Sequence, residues 1–257
     1  MENKTTSQNS DVRTVVSLTE MMISDKTPRQ IISNRGVEME NKSSMLYWFP
    51  KVKDLPIPQP KTEFVLSNDN WWQYLDGKRL PDQDIVTLKE AIKKIGYPVF
   101  MRTDLASGKH QYLDTSYVDS EDKVLQNLFG LIEQNALRDL WFDTIVVREF
   151  IYLSYRFRAF GGLPIGCERR YFIRDGEVIC HHPYWIKDAI KFYQQSKNWE
   201  NLPWEMWLKE LNTESEIEVR ILTNIAEMVG SVLLGSWSVD FAKDRDGKWW
   251  LIDMALA

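Results

Sequence analysis

Two aspartates near the end of the chain, Asp240 and Asp253, have the types and spacing that point most directly to chemistry. They lie in Ser238–Ala255, SVDFAKDRDGKWWLIDMA, on either side of Asp246-Gly247. Asp-Gly between two apolar-rich runs predicts a tight hairpin turn. With those two residues as the turn, Arg245 pairs with Lys248, Ala242 with Leu251, Asp240 with Asp253 and Ser238 with Ala255. Paired residues project from the same face, with Cβ atoms about 4.5–5.5 Å apart. Facing carboxylates repel unless one is protonated or a cation bridges them. Magnesium, which takes one or two protein carboxylates plus substrate phosphates, suits such a pair. A three-residue turn would send the aspartates to opposite faces. The plainer reading makes Asp240 a solvated strand residue and Asp253 a chain-end charge. It is the weaker one, because Asp253 sits among Trp249–Ile252 and Met254, and a buried carboxylate needs a partner. Val239, Phe241, Trp250, Ile252 and Met254 form the expected core side.

Elements that could position further charges precede this hairpin. Met45–Phe49 reads as a strand-like start, and Pro56, Pro58 and Pro60 enforce an extended crossing. Phe64–Leu66 is a strand. Thr87-Leu88-Lys89-Glu90 has the form of a capping box, for a helix that ends at Gly96. Tyr97–Met101 is the next strand and leads into Arg102 and a Ser107-Gly108-Lys109 loop. Ser120-Glu121-Asp122 opens a helix with Val124, Leu128, Leu131 and Ile132 on its apolar face. Ile145–Val147 is a strand running into Arg148-Glu149-Phe150-Ile151. Glu168–Ile173 and Glu177–His181 form a second hairpin around Asp175-Gly176, with Glu168 and Arg170 on one face. A Trp-rich segment, Pro183–Asn212, is partly helical. A long helix runs from Glu214 to about Gly230, with Ile217, Ile221, Ile225 and Val229 toward the core. This mixture lacks a clean βαβ repeat and favours an α+β fold with antiparallel pairs. Residues 1–43, rich in Ser, Thr, Asn, Lys and Glu, read as a loosely docked extension, with an amphipathic helix around Val15–Ile32.

Composition sets bounds. A chain of 257 residues with 44% hydrophobic content supports a sizeable core. A net charge of −5 argues against a dedicated nucleic-acid binder, since phosphate-backbone binding needs a basic field. The interleaved arginines and aromatics of Tyr155–Arg174 could still stack on a single strand. Cys167 and Cys180 make neither a CxxC motif nor a disulfide framework, which fits a reducing cytoplasm. Cys180-His181-His182 lacks the second spaced pair of a zinc site. No apolar run is long enough to span a bilayer. The eleven tryptophans, including Trp199, Trp204 and Trp207, read as packing anchors. There is no Walker A or GxGxxG pattern.

The ordered charges Arg102, Lys109, Glu149, Glu168, Arg170, Asp240 and Asp253 resemble those of the ATP-grasp superfamily, in which two α+β lobes clamp ATP. The resemblance runs from about Met45 to the C-terminus. Gly96-Tyr97-Pro98-Val99-Phe100-Met101-Arg102 is similar to the family's phosphate-binding strand, with Arg102 where a lysine usually stands. Val146–Ile151 is similar to the adenine-carrying hinge. With Glu168-x-Arg170-x-Phe172 and the final Leu-Ile-Asp, the pattern looks most like a clade of phages and bacteria named for one arginine and two lysines. The resemblance implies a pre-grasp segment at about 44–86, a nucleotide-clamping lobe at 87–150, and a catalytic lobe at 151–257 with the Trp-rich insert 183–212. It implies ATP and Mg2+ as cofactors, Asp240 and Asp253 as metal ligands, and Arg102 on the α/β-phosphates. Lys109 would cover the β/γ-phosphates, Glu149, Phe150 and Ile151 would hold the adenine, and Arg170 with Glu168 would act in catalysis. Taken singly, Lys109 could equally be a solvated cation, and Glu168–Arg170 an exposed ladder. The family usually ends acidic-x-Asn, whereas this chain has Asp253-Met254-Ala255. Alanine has no ligand atom, and Ser238 is the residue placed to compensate.

Three functions follow. The first is an ATP-dependent carboxylate–amine ligase that forms an acylphosphate from a small-molecule or peptide acid and then passes it to an amine. The second is an ATP-binding assembly or protein-interaction module, favoured by Ala255. The third, a single-stranded nucleic-acid surface, is disfavoured by the acidic charge.

Overall fold

The computed structural model describes residues 41–68, 70–193 and 202–257. The expected N-terminal helix and Trp199 lie outside the described residues, as does nearly all of the 1–43 extension.

In chain order the elements are α1 (Met45–Val52), β1 (Thr62–Leu66), α2 (Asp82–Ile95), β2 (Val99–Thr103), β3 (Tyr117–Val118), α3 (Val124–Ala136) and β4 (Thr144–Glu149). They continue with β5 (Tyr155–Ala159), β6 (Leu163–Gly166), β7 (Glu168–Arg174), β8 (Glu177–Pro183), α4 (Lys187–Tyr193), α5 (Trp204–Leu211), α6 (Glu216–Gly230), β9 (Ser236–Lys243) and β10 (Trp249–Leu256). The fold is α+β with antiparallel sheets. One sheet has the order β1-β4-β2-β3, a second β10-β9-β7-β8, and β5-β6 forms a separate ribbon.

Side chains alternate across each strand, so each sheet has one core face and one face free for chemistry. In the first sheet, Val99, Met101, Ile145 and Val147 pack with Leu88 and Ile92 of α2 and with Leu128 and Leu131 of α3. In the second sheet, Tyr171, Ile173, Val239 and Phe241 pack with Leu222, Ala226 and Val229 of α6 and with Trp48 and Phe49 of α1. Residues one step along from these, Phe100, Arg102 and Arg148 on one sheet and Glu168, Arg170 and Asp240 on the other, lie on the opposite faces. A third cluster joins Phe157 and Ile165 to Trp185, Leu208 and Leu211, with Trp204 and Trp207 packed against it.

Several expectations need correction. Met45–Phe49 is helical, not a strand: Ser44 caps it by accepting the Leu46 N–H at 3.1 Å. Its buried residues, Met45, Leu46, Trp48, Phe49 and Val52, follow the helical i, i+3, i+4, i+7 spacing. Helix α2 ends at Gly96 as expected, but it begins at Asp82 after Pro81, five residues before Thr87. On α6, Ile217 and Ile221 are exposed, and Leu222, Ala226 and Val229 are buried instead.

The terminal hairpin differs in an informative way. Asp244 N–H donates to the Lys248 carbonyl and Gly247 N–H to the Asp244 carbonyl, so the turn has three residues, Arg245 to Gly247. Gly247 has φ +86°, the left-handed conformation that closes such a turn. Ala242 therefore faces Trp250, and Phe241 faces Leu251. The register then shifts between Leu251 and Asp253, so that Asp253 faces Asp240 and Ala255 faces Ser238 as expected. Ile252 is the extra residue of this bulge. The expected core places of Trp250 and Ile252 fall instead to Leu251. Trp250 Nε1 donates to Asp244 at 2.8 Å, and Ile252 lines the cleft described below.

Candidate functional site

The β7–β9–β10 arrangement brings Arg170, Asp240 and Asp253 into one row, since Arg170 is opposite Asp240 and Asp240 is opposite Asp253. Arg170 binds Asp240 through both ends of its fork, Nε to Oδ1 and Nη2 to Oδ2, each at 2.7 Å. Bidentate geometry of this kind is the strong form of an ion pair. Burial holds the Asp240 carboxyl above its usual range, partly offset by Arg170. The bond to Asp240 raises the Arg170 guanidinium. Asp253 receives Arg102 Nη1 from the first sheet at 2.8 Å and its own neighbour's Met254 N–H at 2.9 Å, both at Oδ1. Each aspartate is thus held by an arginine from a different strand.

Lys109 and Glu168 extend the row. Lys109 begins a short 3-10 turn, Lys109–Asp114, and its Nζ lies 4.0 Å from Glu168 Oε2. The ammonium also sits 4.0 Å from the Tyr184 ring centre and 4.7 Å from that of Trp185. Burial alone would lower the Lys109 ammonium, but Tyr184, Glu168 and Asp240 together hold it above its ordinary value. Glu168 is buried and pushed up by desolvation, with Lys109 and a 2.8 Å bond from Trp185 Nε1 acting the other way. Neither residue is the solvated surface charge of the plainer reading.

These groups stand at one end of an open cleft of about 750 Å³. Arg102, Lys109, Glu149, Phe150, Ile151, Glu168, Asp240 and Asp253 all line it, so eight of the nine residues singled out from sequence meet there. Arg170 is the ninth, and it reaches the cleft wall through Asp240. The apolar part of the wall comes from residues such as Phe100, Tyr112, Phe150, Leu163 and Ile252. The Glu149 carboxylate accepts the Lys61 N–H at 3.1 Å, so its side chain is already engaged in joining β4 to the chain before β1.

Sequence reasoning missed two contributors. Tyr184 and Trp185 form the aromatic wall around Lys109, yet they read only as part of a Trp-rich segment. Their position straight after β8 is the signal that could have found them. Arg148, buried in the cleft wall, was hidden inside the hinge motif. Ser238 Oγ donates to the Ala255 carbonyl across the strand pair at 3.3 Å. In the Tyr155–Arg174 stretch, Arg169 is buried against Glu214 at 2.6 Å and Arg170 is committed to Asp240.

The donor set fits a magnesium ion that completes its shell with phosphate and water. Asp240 and Asp253 supply two carboxylates, and no group of three or more His, Cys, Asp or Glu side chains gathers among the described residues. No helix among the described residues is long and apolar enough to cross a membrane.

Comparison with solved structures supports the fold. The chain is similar to C-terminally truncated Cdc123 from Schizosaccharomyces pombe, with a TM-score of 0.56 and 14% identity over 86% of this chain and 87% of that one. A second structure of Cdc123 from the same organism gives 0.54 and 14% over 84% and 83%. The D-alanine–D-alanine ligase of Bacillus anthracis, complexed with ATP, gives 0.45 and 12% over 83% of this chain and 52% of that one, a likeness too low to carry argument. No curated protein sequence matches significantly. A family model does match, over residues 97–255, which spans more than half of the chain and runs from the strand carrying Arg102 to the bulged strand carrying Asp253. The chain belongs to the ATP-grasp domain family, as family 3 of the clade named for one arginine and two lysines.

Proposed function

We propose that the protein is an ATP- and magnesium-dependent carboxylate–amine ligase that works through an acylphosphate. The observation that carries this reading is the convergence of Asp240, Asp253, Arg102 and Lys109 on one cleft with an apolar far wall. Bound magnesium would neutralise phosphate charge and orient the transferring group. Asp240 and Asp253 are the residues that hold it. Arg102, whose fork suits phosphate oxygens, binds the nucleotide's phosphates, and Lys109 moves from Glu168 onto the terminal ones. Arg170, pinned at Asp240, stabilises charge developing on the transferred phosphoryl group. Glu168, buried with a raised pKa, is placed to take a proton from the incoming amine. Phe150 and Ile151 pack against the adenine, and the backbone of Glu149 to Ile151 borders its edge.

The test is ADP formation against a panel of carboxylic acids and amines. Turnover that needs ATP, an acid and an amine together supports the reading. Tight ATP binding without turnover across a broad panel contradicts it.

A second reading, an ATP-binding assembly or protein-interaction module, is favoured by Ala255. Its methyl group offers no ligand atom, and the Ser238 hydroxyl opposite is spent on the Ala255 carbonyl. Co-purification of one defined protein, retained by Asp253→Asn, supports this alternative.

A further inference from the structure

Arg148 is a buried cation that the proposed chemistry leaves unused. The β2–β4 register sets Phe100 opposite Arg148 and Arg102 opposite Val146, so the two arginines stand on the same face of the first sheet, one pair apart. Both line the cleft. Arg148 is only 4% exposed. It donates from Nε to Thr62 Oγ1 at 3.2 Å and from Nη1 to the Ile252 carbonyl. Both acceptors are neutral. The nearby carboxylate, Asp253, is instead in ion-pair contact with Arg102, and the adjacent Glu149 carboxylate is bound to the Lys61 N–H. Most donors of the Arg148 fork therefore remain unused among the described residues.

That arrangement is unfavourable for the protein by itself. A buried charge without an opposite charge pays for desolvation with no Coulomb return. Burial and the neighbouring Arg102 lower the guanidinium from its usual value, and Asp253 offsets this only in part. The same two arginines balance if an anion lies between them and the cleft. Asp253 neutralises one arginine and the ligand neutralises the other. The bond to Ile252, the bulge residue beside Asp253, holds the fork in place for this.

We infer that Arg148 is a second anion-binding guanidinium of the cleft, taking phosphate oxygens of the bound nucleotide beside Arg102. The inference rests on the nucleotide reading above and adds a residue to it. A planar fork can take two phosphate oxygens at once, which distinguishes this from the point charge of Lys109. A carboxylate of the acid substrate has the same oxyanion chemistry, and a series of ligands separates the two sources.

The experiment is calorimetric titration of the full chain with ADP, inorganic pyrophosphate, adenosine and acetate, on the wild type, Arg148→Met, Arg148→Lys and Arg102→Met. The inference expects Arg148→Met to weaken ADP and pyrophosphate by about tenfold or more and to leave adenosine within about twofold. Arg148→Lys falls between. Without ligand, Arg148→Met melts at the wild-type temperature or above, because an unpaired buried charge has gone. Wild-type affinity of Arg148→Met for ADP overturns the inference, and so does an equal loss for ADP and adenosine together with a lowered melting temperature. Loss of acetate binding with ADP unchanged overturns it in favour of the acid substrate. If Arg102→Met loses ADP while Arg148→Met keeps it, only this inference fails. A wild type that binds neither ADP nor pyrophosphate overturns the nucleotide reading as well.

Discussion

Asp240 and Asp253 face each other across β9 and β10 although the turn joining these strands is one residue too long for that pairing. The bulge at Ile252 removes the offset. Up to Leu251 the two strands run in the register of a three-residue turn, and from Asp253 onward they run in that of a two-residue one. A period-2 strand moves every side chain to the other face when it slips by one residue. The bulge therefore lets Leu251 and Met254 both reach the core while Asp253 reaches the cleft.

The turn itself depends on Gly247. Its surroundings are open, with Lys243 Cε at 4.0 Å from a built Cβ, so substitution there is opposed by backbone conformation and not by crowding. Gly247→Ala is expected to cost about 1 kcal/mol. Urea denaturation checks this: the midpoint falls and the m-value stays. An unchanged midpoint contradicts the three-residue turn.

Asp240→Asn removes the partner of a bidentate guanidinium. Arg170 is one-third exposed, so the penalty lies below that of a fully buried pair, at about 2 kcal/mol. Arg170→Met in the same background recovers part of that loss. Urea melts of both single variants and the double variant measure the coupling. Strict additivity contradicts the pairing.

The second sheet was legible in the sequence because its signals are local. Asp175-Gly176 and the alternation of Glu168–Ile173 mark one hairpin without outside help. The aspartate pairing was legible for a partly wrong reason. The motif supplied Asp246-Gly247 as a two-residue turn, and the bulge that restores the pairing has no sequence signature in Leu251-Ile252-Asp253. Met45–Phe49 misled because aromatic residues favour strands by propensity, while its helical spacing was the better guide. Ile217 and Ile221 misled because an apolar stripe shows that a helix has a hydrophobic side, and only packing decides which stripe the sheet covers. The placement of Arg148 depends on three strands meeting, which no single segment encodes.

Asp104 makes stability depend on pH. It is buried, its Oδ2 accepts from the Ser44 cap of α1, and its Oδ1 has no partner among the described residues. Desolvation raises its pKa from 3.8 to about 6. The folded state therefore holds the proton more tightly than the unfolded chain. The resulting stability is full below about pH 4 and is lost as pH rises through 6. Asp104→Asn removes that loss and is expected to stabilise the protein at pH 7.5 by at most about 3 kcal/mol, with no gain at pH 4. Thermal melts at the two pH values decide. An equal effect at both contradicts the buried, raised carboxyl.

Lys109 separates a structural cation from a phosphate ligand. Lys109→Met is expected to lower ATP affinity by about tenfold and ADP affinity by less, because the missing charge serves the terminal phosphate. Competition binding of the two nucleotides measures the ratio. A lowered melting temperature with the ATP-to-ADP ratio unchanged assigns Lys109 to holding Glu168 alone.

The central claim, that Asp240 and Asp253 hold a divalent ion against a nucleotide's phosphates, is tested most directly by calorimetric ATP titration with and without magnesium on the wild type, Asp240→Asn and Asp253→Asn. The account predicts that magnesium strengthens wild-type ATP binding by about tenfold or more and that either substitution abolishes this gain. ATP binding that ignores magnesium in the wild type, or a gain that survives both substitutions, contradicts it.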